Sequence, residues 1–532
     1  MAKRSATKDL YVASNTAFLE DNIDNEEDIV YQGKYTSSFV LYATDAEIEK
    51  YAKCEDVQLI VPFCDDAGDV ESVPVEQTQI GVDSVSGTKS SQYNSGSGYK
   101  GTGVKIGIVE LKGGKYYETS PQLSSISGGQ LKFIANSVTD FNSGDAPYHA
   151  TMVTSLIVGQ EYTADGCTYE GVVPNATVYQ VAASGWISAK NALDILVEEG
   201  VSVINYSGGS SLLTNEYSVS YDGYIDEFIE STGITFVKSA GNTAGVVTSP
   251  GKAYNAITVG NLWSKDYNDE TGWHYVTSEY QNNFKIQEVS SYQEASYIAN
   301  KPDVVAPGSG IEIPLSLSEI KHDTGTSYSA PLVTGIVAQI HQAKPILKSN
   351  PTATKAIIIA GANHDVVCIE PQYVWDILFY DNPQKEIEYI RDKTGAGMVN
   401  AANSIEIAVN NQYYFGRFNL SANYSGTPIM EDFCNFYVDA GQKMRLVMTY
   451  NKIDEASVSE SGYENDVNFS VYEYLTDEFV VSSHSVYNNV EIVEFTATEG
   501  TRFSVDVFLQ SYVPASSTCF LPLSFAGLYI DE

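Results

Sequence analysis

A carboxylate, an imidazole and a hydroxyl stand in chain order at Glu110, His149 and Ser327. Those three groups can carry nucleophilic catalysis. The imidazole takes the hydroxyl proton, and the carboxylate holds the ring tautomer and stabilises the imidazolium. Order alone does not separate that reading from three unrelated polar residues. Ser327 lies in Asp323-Thr324-Gly325-Thr326-Ser327-Tyr328-Ser329-Ala330-Pro331, a glycine-bearing turn that opens an apolar run from Leu332 to Ile340. A serine at a helix N-terminus has backbone N–H groups beside it and the positive end of the macrodipole behind it. Such a place can stabilise an oxyanion. It equally suits an ordinary N-cap serine.

The elements that must hold these groups are legible. Val104-Lys105-Ile106-Gly107-Ile108-Val109 is a short β-branched run that ends at Glu110, as a buried parallel strand would. Its carboxyl end is where α/β proteins build sites. Residues 146–159 read as a loop and then a short buried helix with His149 in its first turn. Strands follow at 177–182, 201–206, 235–238 and 256–260, with helices at 188–199, 224–232 and about 352–361 and an extended segment at 301–308. Two strands end in polar and glycine residues, Ser207-Gly208-Gly209-Ser210 and Ser239-Ala240-Gly241-Asn242. Strands alternating with helices predict a doubly wound parallel sheet with helices on both faces, an α/β fold. From about 411 the pattern becomes period-two alternation, as in 445–450, 467–472, 491–496 and 503–507. That predicts a C-terminal β-sandwich.

Ahead of the α/β region, residues 1–34 are polar and acidic, and are expected to be loose at first and then to lead in as a strand. A small α+β unit follows. It has a strand at 36–42, a helix capped by Thr44 with Glu47 completing a capping box, and a second strand at 57–63. The expected domains are 1–76, 77–408 and 409–532.

Composition excludes some functions. The formal net charge is −38 and no basic cluster occurs, so nucleic acid and anionic membranes are poor partners. No apolar run reaches transmembrane length. No h-region follows the basic N-terminus, so no signal peptide is read. The chain as written is expected in the cytoplasm, or outside the cell where a leader has been removed. The six cysteines are scattered without metal or CxxC spacing, which favours buried free thiols.

Six segments in register resemble the subtilisin-like serine peptidases, the subtilases, over about 77–408. They are Val104 to Glu110, His149-Ala150-Thr151, Ser207-Gly208-Gly209, Ala240-Gly241-Asn242, Asp303-Val304-Val305-Ala306-Pro307-Gly308 and Gly325-Thr326-Ser327-Tyr328-Ser329-Ala330-Pro331. The resemblance implies that Ser327 is the nucleophile, His149 the general base and Glu110 the orienting acid. It implies an oxyanion hole from the Asn242 amide and the Ser327 N–H, and a substrate strand paired along Ser207-Gly208-Gly209. The side-chain pockets would be lined near 206–210 and 236–242, Ala240 and Gly241 included. The chain departs from the family at four places. Glu110 replaces the usual Asp, Leu111 replaces a small residue, Ala150 follows the histidine, and Tyr328-Ser329 follows the serine. Glutamate adds a methylene, which moves the carboxylate by roughly 1.5 Å on an unchanged backbone. A matching backbone shift would accommodate it.

The implied partner is a peptide or protein substrate. The implied inhibitor is the chain's own N-terminal segment, whose tail near 65–80 would thread the cleft. No cofactor is expected to be required. Calcium could sit at Asp140, Asn142 and Asp145, where oxygen ligands alternate, although a solvated turn suits the same residues. The alternative to a serine endopeptidase is a catalytically impaired subtilase that binds peptides as a sensor or scaffold.

Overall fold

The computed structural model describes residues 2–23, 28–60, 98–136, 147–263, 265–293, 300–363, 367–368, 393–419, 430–452, 465–512 and 520–530. Within those spans, residues 55–56, 58–59, 112–113, 127, 165–166, 211–215, 269–271, 276–283, 484 and 486–487 are excepted. The N-terminal elements are α1 (Ala2–Asn22), β1 (Ile29–Gln32), β2 (Phe39–Leu41) and α2 (Asp45–Tyr51). The central region holds β3 (Lys105–Leu111), β4 (Leu131–Ile134), α3 (Pro147–Val158), β5 (Thr177–Ala183), α4 (Trp186–Glu199) and β6 (Val203–Tyr206). It continues with α5 (Tyr224–Thr232), β7 (Thr235–Ser239), β8 (Ile257–Trp263), β9 (Val304–Ser309), β10 (Ile311–Ser316), β11 (Glu319–Asp323), α6 (Thr326–Ala343) and α7 (Pro351–Ala360).

Seven strands run parallel in the spatial order β4-β5-β3-β6-β7-β8-β9. The chain leaves β3 towards one edge and returns to build β6 on its other side. That reversal opens a crevice beyond the carboxyl ends of β3 and β6, where ligands bind in open α/β sheets. Apolar side chains cover both faces. One face packs β3, β7 and β8 residues under α3 and α6, and the other packs β5, β6 and β7 residues under α4 and α5. Gly335 lets α6 approach closely, since a Cβ there would meet the Val172 Cβ at 2.4 Å. The doubly wound α/β fold expected from the sequence is the fold observed.

Beyond the α/β region two four-stranded antiparallel sheets face each other. One is ordered Tyr413–Asn419, Phe520–Ile530, Lys443–Tyr450, Val490–Thr496, and the other Met430–Val438, Thr501–Tyr512, Asn465–Glu473, Phe479–Ser483. Phe469, Phe495, Phe503 and Phe525 fill the space between them. The sandwich is seated on α7, where the Thr449 hydroxyl donates to the Thr352 carbonyl at 2.8 Å and the Arg445 guanidinium donates to the Ala362 carbonyl.

The N-terminal unit differs from expectation in its first part. Residues 2–22 form a helix rather than a loose lead-in. Its sequence is polar, and an isolated helix of this kind gains little from its own propensity. Docking supplies the rest. Arg4 donates to the Thr232 and Val201 carbonyls at 3.1 and 2.7 Å, Phe18 stacks on Phe39, and buried Asn15 donates to the Gly33 and Thr36 carbonyls. The lead-in strand β1 pairs antiparallel with β2. The capping box on α2 forms as expected, with Thr44 and Glu47 exchanging hydrogen bonds. The strand expected at 57–63 and the linker after it lie outside the described residues, apart from Val57 and Ile60, which are not in a strand. Of the six cysteines, Cys54 and Cys434 are free thiols, and Cys434 is buried.

Candidate active site

Glu110 is the sixth residue of β3, in register with Ala182 of β5, and is fully buried. His149 is the third residue of α3 and is 3% exposed. The two meet through Glu110 Oε1 and His149 Nδ1 at 2.6 Å. The longer acid therefore reaches the ring. Leu111, the bulky residue after it, is accommodated by Gly208, where a Cβ would come within 2.4 Å of Leu111 Cδ1. The departure at Leu111 and the glycine on the neighbouring strand end thus fit each other.

Burial alone would depress the His149 pKa. The adjacent Glu110 carboxylate and, more weakly, Asp323 overcome that, and the pKa is raised above the ordinary imidazole value. His149 Nε2 and Glu110 Oε2 are buried and have no hydrogen-bond partner among the described residues. Nε2 and Ser327 Oγ are accordingly not hydrogen-bonded to each other. The imidazole does lie at the first turn of α6, with its centroid 5.6 Å from that of Tyr328, the residue after Ser327. Catalytic hydrogen bonds are often long in a ligand-free site and tighten with substrate.

Ser327 is the second residue of α6 and is 5% exposed. A ladder of hydrogen bonds ties it to the end of β6. Thr334 Oγ1 donates to Asn205 Oδ1 at 3.1 Å, Asn205 Nδ2 donates to Ser207 Oγ at 3.0 Å, and Ser207 Oγ donates to the Ser327 carbonyl at 2.8 Å. A second set ties in the end of β7. The Thr326 N–H and hydroxyl donate to Asn242 Oδ1 at 2.9 and 3.1 Å, and the Gly241 N–H donates to Thr326 Oγ1 at 3.1 Å. Holding Oδ1 on Thr326 fixes the Asn242 amide, with Nδ2 as its donor end. Gly241 has φ +115°, a conformation open to glycine, and a Cβ there would press on Thr248 Cγ2 at 2.9 Å.

Of the residues expected to form the site, Glu110, His149, Ser327, Asn242, Ser207, Gly208, Gly209, Ala240 and Gly241 all lie at the carboxyl edge of the sheet or the helix N-termini facing it. Asp140, Asn142 and Asp145 lie outside the described residues. Among the described residues no group of three or more His, Cys, Asp or Glu is placed to hold a metal ion. His341 is buried between Ser202 Oγ and Thr354 Oγ1, and burial pulls its pKa to about 3, as for a core histidine.

One carboxylate escaped the sequence reading. Asp323 Oδ2 accepts from the Tyr328 hydroxyl at 2.6 Å, and Oδ1 accepts from the Thr324 N–H at 2.8 Å. Burial raises its pKa, opposed by the Tyr328 bond and by His149. Its only sequence signal was the Asp and Tyr bracketing Ser327, one of them at a position already noted as a departure.

This arrangement provides a buried carboxylate–imidazole pair, a serine at a helix N-terminus, and an amide donor fixed beside it. Comparison with known proteins agrees. Residues 102–400 match the model of the subtilase family, which is more than half of the chain. The chain belongs to the subtilase family of serine peptidases. It is 26% identical over 257 residues to the alkaline elastase YaB of Bacillus sp. (strain YaB), covering 47% of this chain and 57% of the elastase. It is 25% identical over 247 residues to subtilisin-like protease 2 of Plasmodium falciparum (isolate 3D7), covering 45% of this chain and 16% of that protein. The chain thus spans less than two thirds of these relatives' own length. Among solved structures it is similar to the patellamide maturation protease PatA, with 18% identity, a TM-score of 0.40, and coverage of 58% of this chain and 98% of that one.

Proposed function

We propose that the chain is a serine endopeptidase working through an acyl-enzyme. The observation that carries this is the 2.6 Å contact between Glu110 Oε1 and His149 Nδ1, which leaves Nε2 as the proton-accepting nitrogen at the first turn of the Ser327 helix. Glu110 holds the tautomer with the proton on Nδ1. His149 Nε2 removes the Ser327 proton as Oγ attacks the peptide carbonyl. The carbonyl oxygen becomes an oxyanion, stabilised by the Asn242 Nδ2 and the Ser327 N–H. Nε2 then returns the proton to the leaving amine, and water repeats the cycle on the ester. Substrate backbone pairs along Ser207-Gly208-Gly209 as an added strand.

The test is labelling of the full chain by a fluorophosphonate, with Ser327→Ala as control. Covalent labelling of wild type alone is expected. A folded sample with an accessible cleft that does not label would replace this reading with that of a peptide-binding subtilase without activity.

On this proposal the N-terminal unit is an intramolecular inhibitor. That role is supported by how closely the unit sits on α4 and α5: Tyr31 OH donates to Asp194 Oδ2 at 3.2 Å and lies 2.9 Å from the Tyr224 hydroxyl, and Ser37 donates to Glu227 through its N–H at 2.6 Å and its hydroxyl at 2.8 Å. Self-processing between about 65 and 80 is expected. N-terminal sequencing of wild type and Ser327→Ala would show a new terminus in the first only; intact chains in both would count against it.

A further inference from the structure

The wall of the substrate cleft between the ends of β6 and β7 contains a feature that peptide hydrolysis does not require. Lys238, on β7, is fully buried. Its ammonium donates to the Ser239 carbonyl, to Ser239 Oγ at 3.3 Å and to Thr248 Oγ1 at 3.4 Å. All three acceptors are neutral, and among the described residues no carboxylate lies within ion-pair distance of this ammonium. A buried charge in that position is costly until a counter-charge arrives. Burial pulls the lysine down to about 7, with Asp222 opposing and Lys252 adding to the fall. Its surroundings are therefore one aspartate and a second lysine, an excess of positive charge when all three are ionised.

Thr248 connects this ammonium to the cleft. Its N–H donates to the Ala240 carbonyl at 2.9 Å, and it is only partly buried. A Cβ on Gly209 would meet Thr248 Oγ1 at 2.4 Å, and one on Gly241 would meet Thr248 Cγ2 at 2.9 Å. Thr248 therefore stands between the two glycine-lined strand ends and closes the slot between them. The hydroxyl accepts from Lys238 Nζ and now donates weakly to the Ala240 carbonyl at 3.4 Å. Turned towards the cleft, the same O–H would donate to an arriving carboxylate, completing a chain from ammonium to hydroxyl to carboxylate. The side chain of a threonine at the floor also leaves little depth for an aromatic ring.

We propose that this slot receives the side chain on the acyl side of the cleaved bond (P1), and that it selects a short acidic residue, aspartate ahead of glutamate, through Thr248 backed by Lys238. This rests on the reading of the protein as a subtilase that binds peptide along Ser207-Gly208-Gly209, and it makes acidic peptide sequences the substrate class.

Two measurements test it. Internally quenched peptides differing only at P1 (Asp, Glu, Asn, Leu, Phe, Lys) give kcat/KM for the full chain. Fluorescent versions give Kd for the Ser327→Ala chain, which does not depend on chemistry. Asp is expected to exceed its isostere Asn on the order of tenfold, since the Asn amide oxygen can also accept from the hydroxyl and only the carboxylate supplies a counter-charge to the Lys238 ammonium. Thr248→Val keeps the shape of the floor and removes the hydroxyl, so the Asp-to-Asn ratio should fall towards one. Lys238→Met should do the same, and Thr248→Val covers the case in which it does not fold. Thr248→Gly should raise cleavage after Phe. A wild type that labels with fluorophosphonate yet prefers Leu or Phe to Asp overturns the acidic slot and leaves the peptidase reading standing. Asp-selective binding by a chain that never labels does the reverse.

Discussion

Two buried clusters each combine one aspartate with two lysines, and they reach opposite states. In the first, Asp303 receives Lys301 Nζ at 2.7 Å and Lys355 Nζ at 2.8 Å, and the Thr258 N–H at 2.7 Å. The two ammonium groups hold the Asp303 carboxyl below its usual range despite complete burial. In the second, Asp222 takes its bonds from the Ser249 hydroxyl at 2.7 Å and from the Ser218 and Lys252 N–H groups at 2.8 and 3.1 Å. Burial wins there, and the Asp222 pKa is raised. Composition is the same; direct contact is what differs. The first cluster lies at the base of β9, where it joins that strand to α7, and its charges are closed into direct ion pairs. The second lies behind Thr248, and its Lys238 is left to neutral oxygens. A closed cluster holds elements together, whereas an open one holds charge in reserve for something that binds.

The largest test of what direct pairing achieves is at the active site itself. Glu110→Gln keeps the shape and removes the charge facing His149. It should lower kcat/KM on the order of 10³–10⁴-fold, as loss of the orienting acid does in other serine peptidases. It should also move the acid limb of the pH profile downwards, because the carboxylate is what raises the His149 pKa. In wild type, activity should require neutral His149 and so rise with pH through a value above the ordinary imidazole range. An acid limb at or below that range would show that the pair does not exist in solution.

Asp303→Asn opens the closed cluster and strands two buried ammonium groups. Urea denaturation should show a loss of about 3–5 kcal/mol. The folded pKa of Asp303 is lowered, so its contribution is present above the unfolded carboxyl value of 3.8 and is lost as pH falls through the folded value. The penalty of the substitution should be larger at pH 7 than at pH 3. Asp222→Asn should cost less, about 1–3 kcal/mol, from hydrogen bonds left imperfect. Its sign with pH is opposite. A raised folded pKa stabilises most below 3.8 and loses that contribution as pH rises through the folded value. Its penalty should therefore be larger at pH 4 than at pH 7. Equal pH dependence in the two variants would erase the distinction drawn between the clusters.

The smallest expected effect is at Tyr328. Its hydroxyl lowers the Asp323 pKa and so keeps that carboxylate charged near His149. Tyr328→Phe should let Asp323 protonate more readily, and the acid limb of kcat/KM should drop by less than about one pH unit. An upward shift would show that Tyr328 acts on His149 by some other route.

Much of this was legible beforehand where local chemistry and pattern agree. β-branched runs ending in polar or glycine residues marked the sheet and its working edge, and the period-two pattern marked the sandwich. The motif words singled out Glu110, His149, Asn242 and Ser327 as candidates. The helix over residues 2–22 was missed because its polar sequence has little propensity signal, and its stability comes from Arg4, Asn15 and Phe18 meeting distant partners. Asp323 was missed because a carboxylate beside a histidine is a fact of space: they are far apart in the chain and are brought near each other where both meet Tyr328 at the start of α6.

Residue types and their order were enough to determine the α/β class and to nominate the candidate site residues and the chemistry they could share. Three matters were decided only by tertiary structure. Whether Glu110 meets His149 depended on how β3 sits against α3, and the contact closes at 2.6 Å. Which of two Asp–Lys–Lys sets forms direct ion pairs depended on side-chain reach across elements, since Coulomb attraction in a buried site rises steeply as partners touch. And whether Lys238 is a surface cation or a charge behind the cleft depended on where Thr248 returns between two glycines. Sequence spacing carries no information about such distances; packing sets them.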